Sequence, residues 1–416
     1  MLFSPEFVSL PFDWNLLLYG AGLAGVAGLA SVFTHGYQEE VDLDAVKNRV
    51  AELENLSSRT LEQNDELAAL YAAWATVLYD TEGALDEIAD LFGKAEAVLV
   101  AVLAQGDDDK TRQQLGTVYL TLGGAYNDYG DLGLAENSYQ KAVETLKPLD
   151  EAGNAEAKAD VAGIKLNLGI IYRELGEFER AKTCLDESFL EYRAVEKITD
   201  DDTRFHMATV SVQQGNLLYE MGESVDTVVD AYNRAMRLYV EVIEDQQQTT
   251  LERELANVLL DRSLVTYENW VSQKFDSEEE RKKNIDNVLL DISRGIELLE
   301  KQFNEGNAPA RYDLFHAIAL HGKVLCDAEN FPEAKKSLDR VIDEFADLGE
   351  EDDLMQMAMA YATRAIVHFG LGEKKLSEQD CQKGSEMVSQ LLQADSDDEE
   401  IQELRQQFQM LFEQLG

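Results

Sequence analysis

Leu122-Gly123-Gly124-Ala125-Tyr126 is the first of three related segments in this sequence. It returns 46 residues later as Leu168-Gly169-Ile170-Ile171-Tyr172, and Gln214-Gly215-Asn216-Leu217-Leu218 follows after a further 46 residues. Each segment has a glycine at its second position, and another glycine follows seven residues later, as Gly130, Gly176 and Gly222. Similarity at a constant period indicates one structural unit that is repeated along the chain.

Each copy continues with small and larger apolar residues at helical spacing. These stripes are Ala135, Tyr139 and Ala142; Ala181, Leu185 and Ser188; and, with one residue inserted, Val228, Tyr232 and Ala235. A glycine midway along a first helix (Gly123, Gly169 or Gly215) lets a second helix pack closely, and a glycine at its end suits a left-handed cap. The pattern therefore predicts pairs of antiparallel helices.

These residues resemble the tetratricopeptide repeat family, and their long period is more similar to its kinesin-light-chain-like members than to the compact 34-residue type. The resemblance implies an all-α protein, a right-handed superhelical solenoid of antiparallel helix pairs. We expect about seven pairs over residues 66–393, with the signature residues lost around 251–303. Weaker copies include one at Gly322 and one at Gly372.

The resemblance also implies a groove, lined by the first helix of each pair, that binds peptides or extended protein segments. Mapped from unit to unit, the groove residues are Asn127, Asn167, Arg173, Asn216, Tyr219 and Lys323. Amide groups there can hydrogen-bond a peptide backbone. The alternative is that these side chains only solvate a helix face. Of the positions with which some family members grip an acidic chain terminus, Asn167 alone clearly matches.

The amino-terminal segment has the composition of a membrane helix. No Asp, Glu, Lys or Arg occurs from Trp14 to Gln38, and about 19 helical residues span roughly 28 Å, close to the thickness of a bilayer core. We predict a tail over 1–14 and a single transmembrane helix over 15–37. A buried helix and a cleaved signal peptide are the alternatives, although a signal peptide should open with basic residues and the first here is Lys47.

The residues in and after this segment predict the orientation of the protein in the membrane and a face for self-association. Lys47 and Arg49 follow it and no basic residue precedes it, which favours a cytoplasmic repeat domain. Gly20, Ala24 and Gly28 recur at a spacing that allows two transmembrane helices to approach, so the segment offers a face for self-association.

The same segment contains a glycine pattern that is typical of dinucleotide-binding enzymes. Gly20-Ala21-Gly22-Leu23-Ala24-Gly25 fits G-x-G-x-x-G, with Glu39 and Glu40 about 20 residues further on. That motif requires a second hydrophobic strand and further strand–helix units, and helical sequence follows instead. An enzyme using Gly20 to Gly25 is a remote alternative.

Two helical segments flank the predicted array. Residues 38–65 form an acidic amphipathic segment with Leu43, Val46, Val50 and Leu53 on one seam, and we predict a spacer between membrane and repeats. In residues 394–416 the apolar residues Ile401, Leu404, Phe408 and Leu411 have helical spacing. This segment should form a capping helix.

Charge and composition narrow the functions that this chain can have. It has 36 Lys and Arg against 81 Asp and Glu, a net charge of −45, which repels nucleic acid and favours protein partners with basic segments. Apart from the Gly20 to Gly25 pattern, no residues in the sequence form a catalytic, metal-binding or cofactor-binding motif. We therefore predict a non-enzymatic, membrane-anchored scaffold or adaptor that binds other proteins; a soluble or periplasmic assembly subunit is the alternative.

Overall fold

The computed structural model describes residues 42–415 apart from 107, 199–202, 274, 276, 347–350 and 395–398. Every regular element within these ranges is a helix. The described residues up to 223 form the first compact unit, and its helices are α1 (Leu43–Glu54), α2 (Leu61–Asp80), α3 (Leu85–Leu103), α4 (Asp109–Asp128), α5 (Leu132–Glu151), α6 (Ala155–Glu174), α7 (Phe178–Ile198) and α8 (Arg204–Glu220).

The described residues from 224 onward form the second compact unit. Its helices are α9 (Val225–Gln246), α10 (Glu252–Ser272), α11 (Glu278–Asn304), α12 (Pro309–Asp327), α13 (Phe331–Glu344), α14 (Glu351–Gly370), α15 (Lys374–Ala394) and α16 (Glu399–Leu415). A short 3₁₀ turn, Thr249–Leu251, precedes α10. Two regular helices, α10 and α11, thus occupy the range where the sequence signature is lost.

Local sequence determines where the helices begin and end. Thr60 and Gln63 form a capping box at the start of α2, which satisfies two backbone N–H groups that have no partner within the helix. The side chain of Asp131 accepts a hydrogen bond from the backbone N–H of Leu134 in the first turn of α5. Gly176 follows α6 with φ of +73°, a conformation that a residue with a Cβ rarely adopts.

In the first unit, α2 packs against α3, α4 against α5 and α6 against α7. The stripe residues of α5 and α7 are buried; they are Ala135, Tyr139, Ala142, Ala181, Leu185 and Ser188. A Cβ added to Gly123 would lie 2.7 Å from the Tyr139 ring, and one added to Gly169 would lie 2.7 Å from Leu185. These two glycines let α4 and α6 approach their partner helices closely.

The second unit contains the helix pairs α10 with α11, α12 with α13 and α14 with α15. Gly322 of α12 lies under Leu338, where an added Cβ would come within 2.7 Å. Helix α16 packs on α15 through Phe408, which is 1% exposed and lies directly over Gly384. The last pair is therefore covered by an apolar helix face.

Helix α1 lies against the first helix pair, in the range predicted as a spacer. Val50 and Leu53 are buried against α2, and Arg49 donates to Glu66 of α2 from Nε to Oε1 at 2.7 Å and from Nη2 to Oε2 at 3.0 Å. The apolar seam therefore packs on the first helix pair.

Several predictions fall on residues that the structure does not describe. The predicted tail 1–14, the transmembrane helix 15–37 and the segment Gly20 to Gly25 all lie outside the described residues. Among the helices that are described, none combines the length and the apolar composition needed to cross a membrane.

Candidate binding surface

The first helices of successive pairs in the first unit contact one another in the order α2, α4, α6 and α8. Polar side chains join them: Lys110 Nζ donates to Asp65 Oδ2 at 3.4 Å, and Gln113 Nε2 donates to Asp160 Oδ2 at 2.5 Å. We call the polar side of α4, α6 and α8 the first-helix face. Five of the six predicted groove residues belong to these three helices.

Two amides of this face contact groups of the protein itself. Asn127 of α4 is partly buried and donates to Asp128 Oδ1 at 3.3 Å. Asn167 of α6 donates from Nδ2 to the hydroxyl of Tyr139 at 3.2 Å. Because Tyr139 belongs to the buried stripe of the preceding pair, Asn167 ties two repeats together while its helix contributes to the surface.

The carboxyl-terminal ends of α6 and α8 bring further predicted residues near one another. Arg173 Nε lies 3.6 Å from Glu220 Oε1 on α8, and the Arg173 side chain is only 13% exposed. Asn216 and Tyr219 are partly buried on the same helix as Glu220. The first-helix face therefore combines amide, aromatic and charged groups across neighbouring repeats.

Lys323 does not lie on an exposed face, contrary to the sequence-based expectation. Its side chain is buried in the second unit, where Nζ donates to the Tyr267 hydroxyl at 3.2 Å and to the Asp327 carboxylate. A buried ammonium group requires an opposite charge and hydrogen-bond acceptors. Asp327, one turn later on α12, supplies both, so Lys323 stabilises the contact between α10 and α12.

Sequence reasoning missed the most unusual carboxylate of the first-helix face, Asp160. Burial and the neighbouring charge of Glu156 raise the pKa of Asp160 to about 6, although the hydrogen bond from Gln113 acts in the opposite direction. The offset between Gln113 and Asp160 is 47 residues, one more than the repeat period. An offset this close to the repeat period was the sequence signal that Gln113 and Asp160 occupy corresponding turns of adjacent first helices.

The cysteines are shielded by the fold. Cys326 and Cys381 are buried, and Cys184 is partly buried. Burial raises the pKa of the Cys184 thiol to about 11 and that of Cys326 to about 12, so these thiols are protonated at neutral pH. Within the described ranges, no group of three or more His, Cys, Asp or Glu side chains is arranged to hold a metal ion.

A comparison with protein families finds a match in the segment that covers most of α6 and all of α7. Residues 161–200 match the tetratricopeptide repeat family. The tetratricopeptide-repeat segment contains Gly169, Gly176 and Ala181, and it begins directly after Asp160. The family resemblance is thus supported, and a helical repeat of this kind indicates protein–protein interaction. No curated protein sequence matches the chain.

Solved structures of similar helical architecture come from several bacteria. BtubC (BKLC) from P. vanneervenii is 18% identical, with a TM-score of 0.48 over 64% of this chain and 92% of that protein. A tetratricopeptide repeat protein from Parabacteroides merdae is 16% identical, with a TM-score of 0.36 over 71% and 98% of the two chains. PilF of Pseudomonas aeruginosa is also 16% identical, with a TM-score of 0.39 over 71% and 98%. Similarities of this extent do not identify a partner.

Proposed function

We propose that this protein is a membrane-anchored tetratricopeptide-repeat scaffold that binds another protein through the first-helix face and has no catalytic role. The observation that supports the proposal most directly is the combination of amide, aromatic and acidic side chains on three adjacent first helices. They lie in and beside the segment that matches the family. Such side chains provide both hydrogen bonds and packing surface for an extended polypeptide.

The partner carries basic segments in this proposal. The net charge of −45 attracts a basic protein and accelerates its association, an effect that salt weakens. Asp160 and Glu156 lie close together on the first-helix face, and neither carboxylate forms an ion pair within the part of the chain that the structure describes. An incoming basic side chain would compensate these charges.

The membrane part of the proposal rests on the sequence. The run from Trp14 to Gln38 contains no charged residue, and it is long enough to cross a bilayer as one helix. The basic residues after it favour a repeat domain in the cytoplasm. Anchoring would hold the first-helix face, and whatever protein it binds, close to the membrane.

Binding is tested by site-specific photocrosslinking in the full chain. A benzoylphenylalanine residue is placed at Asn127 or at Tyr219 on the first-helix face, and at the exposed Glu144 of α5 as the control. We expect the two first-helix positions to crosslink the same protein, and purified partner to reproduce the adducts. Equal crosslinking from Glu144, or none from either first-helix position, would contradict the proposal.

Anchoring is tested by alkaline carbonate extraction of membranes from cells that express the chain. The unmodified protein should stay in the membrane pellet, because a transmembrane helix is not released by alkali. Replacing both Leu23 and Val26 by Arg should release it, since each charge at the bilayer centre costs about 3 kcal/mol. Release of the unmodified chain would refute the anchor.

A further inference from the structure

A cluster of oxygen atoms lies between α4, α6 and α7 of the first unit. Gln113 Nε2 donates to Asp160 Oδ2 at 2.5 Å, which defines the orientation of the Gln113 amide. The other amide atom, Gln113 Oε1, is buried and accepts no hydrogen bond from any described residue. A carbonyl oxygen in this situation requires a donor from outside the described structure.

Tyr192 of α7 adds a second oxygen of the same kind. Its side chain is 1% exposed, and its hydroxyl has no hydrogen-bond partner among the described residues. Burial raises the pKa of Tyr192, and the negative charges of Asp160 and Glu191 raise it further. We call Gln113, Glu156, Asp160 and Tyr192 the Asp160 cluster.

Two other carboxylates of the first unit are compensated by cations, whereas no described residue forms an ion pair with the carboxylates of the Asp160 cluster. Glu191 accepts from Lys165 Nζ at 2.6 Å with both side chains less than 20% exposed, and Glu220 pairs with Arg173. By contrast, the charged group that perturbs Asp160 is a second acid, Glu156. The cluster thus combines two carboxylates, of which Glu156 is exposed, with two unsatisfied buried oxygens, and no described residue forms an ion pair with either carboxylate.

We propose that the Asp160 cluster binds a lysine or arginine side chain of the protein partner, which deepens and rests on the proposed binding function. Ammonium and guanidinium groups are donors only, so they match carboxylate and amide oxygens, which only accept, and a tyrosine hydroxyl, which can also accept. The cation would compensate Asp160 and Glu156, while Gln113 Oε1 and the Tyr192 hydroxyl accept its remaining N–H groups. Charge-assisted hydrogen bonds of this type are the stronger ones in proteins.

Fluorescein-labelled hexalysine and hexaarginine test the proposal by fluorescence anisotropy with the full chain in detergent. A hexapeptide of N-acetyllysine serves as the uncharged reference. Asp160→Asn removes the charge with little change of shape, and Glu144→Gln on the exposed surface of α5 removes the same charge elsewhere. We expect Asp160→Asn to weaken binding of a basic peptide roughly tenfold and Glu144→Gln to weaken it less than twofold.

A second variant separates binding from folding. Tyr192→Phe removes one buried hydroxyl and should weaken binding of the basic peptides two- to threefold, with an unchanged helical circular dichroism spectrum. Stronger binding to hexaarginine than to hexalysine would assign the site to a guanidinium, and the reverse order to an ammonium; either order supports a basic side chain.

Equal losses for Asp160→Asn and Glu144→Gln would overturn the proposal, because the overall acidic field would then explain binding. So would binding of the acetylated peptide as tightly as of hexalysine. The two proposals fail separately. If crosslinks at Asn127 and Tyr219 persist while Asp160→Asn has no effect, the binding function stands and the cation site is wrong. If those crosslinks are missing while Asp160→Asn weakens peptide binding, the cation site stands without the proposed partner surface.

Discussion

Arg364 and Asp380 form a two-pronged ion pair in the second unit. Nε of Arg364 donates to Oδ2 of Asp380 and Nη2 donates to Oδ1, each at 2.8 Å. Nη1 of the same guanidinium donates to Asp339 Oδ1 at 2.8 Å. Since Asp380 is only 4% exposed, one arginine of α14 compensates a buried carboxylate of α15 and also reaches α13.

Arg364→Met should therefore lower the free energy of unfolding by about 3 kcal/mol, because it leaves the buried Asp380 carboxylate without its main partner. Urea unfolding of the full chain measures the loss. Arg340→Met is the matched control, since Arg340 pairs with Glu300 and Glu344 at the surface and should change stability by less than about 1 kcal/mol. The double variant Arg364→Met with Asp380→Asn should recover part of the loss. Equal losses for Arg364→Met and Arg340→Met would contradict the role of Arg364 as the main partner of Asp380.

The adjacent glycines Gly123 and Gly124 should respond to alanine in opposite directions. A Cβ at Gly123 would lie 2.7 Å from the Tyr139 ring, whereas a Cβ at Gly124 would lie 3.8 Å from the Tyr139 hydroxyl. Gly123→Ala should destabilise the protein by about 1–3 kcal/mol through overpacking. Gly124→Ala should stabilise it by up to about 1 kcal/mol, because alanine is the better helix former. Thermal and urea unfolding compare the two, and a shift of the same sign in both would refute the close-approach argument.

Asp160 should make the stability of the first unit depend on pH. Its folded-state pKa is raised to about 6, above the value of about 3.9 in an unfolded chain, so the folded state binds the proton more tightly. Stability therefore falls as pH rises between these two values and levels off above the folded pKa. The advantage of Asp160→Asn over the native protein should grow by about 1 kcal/mol between pH 5 and pH 7.5. Urea unfolding at both values checks this, with Glu144→Gln expected to give a constant difference.

Helix α16 should be held by Phe408. Phe408 is 1% exposed and lies over Gly384, while Phe412 on the same helix is 40% exposed. Phe408→Ala should cost about 3–5 kcal/mol of packing, and the amides of α16 should then exchange faster with deuterium than those of α12. Phe412→Ala should leave exchange in α16 unchanged within error. Unaltered protection in Phe408→Ala would show that other contacts hold the helix.

Much of the repeat unit can be inferred without coordinates. The period of 46 residues, the glycine that ends each first helix and the small–aromatic–small stripe together predict helix pairs, because each depends on local geometry. The prediction of a membrane segment likewise rests on composition, since a run without charges is recognised without tertiary context. These features depend on residues that are close in sequence.

Other features depend on which helix faces meet. The sequence places Lys323 at a groove position, yet Asp327 and Tyr267 bury it, and the segment predicted as a spacer packs on the first pair through Val50 and Leu53. The Asp160 cluster is assembled from residues of three helices whose contact is not written in any local motif. The sequence by itself therefore determined the helices and their repeated arrangement, because these follow from the spacing of apolar residues and from helix capping. The tertiary structure alone decided which charged side chains are compensated, because compensation depends on distances between residues that are far apart in the sequence.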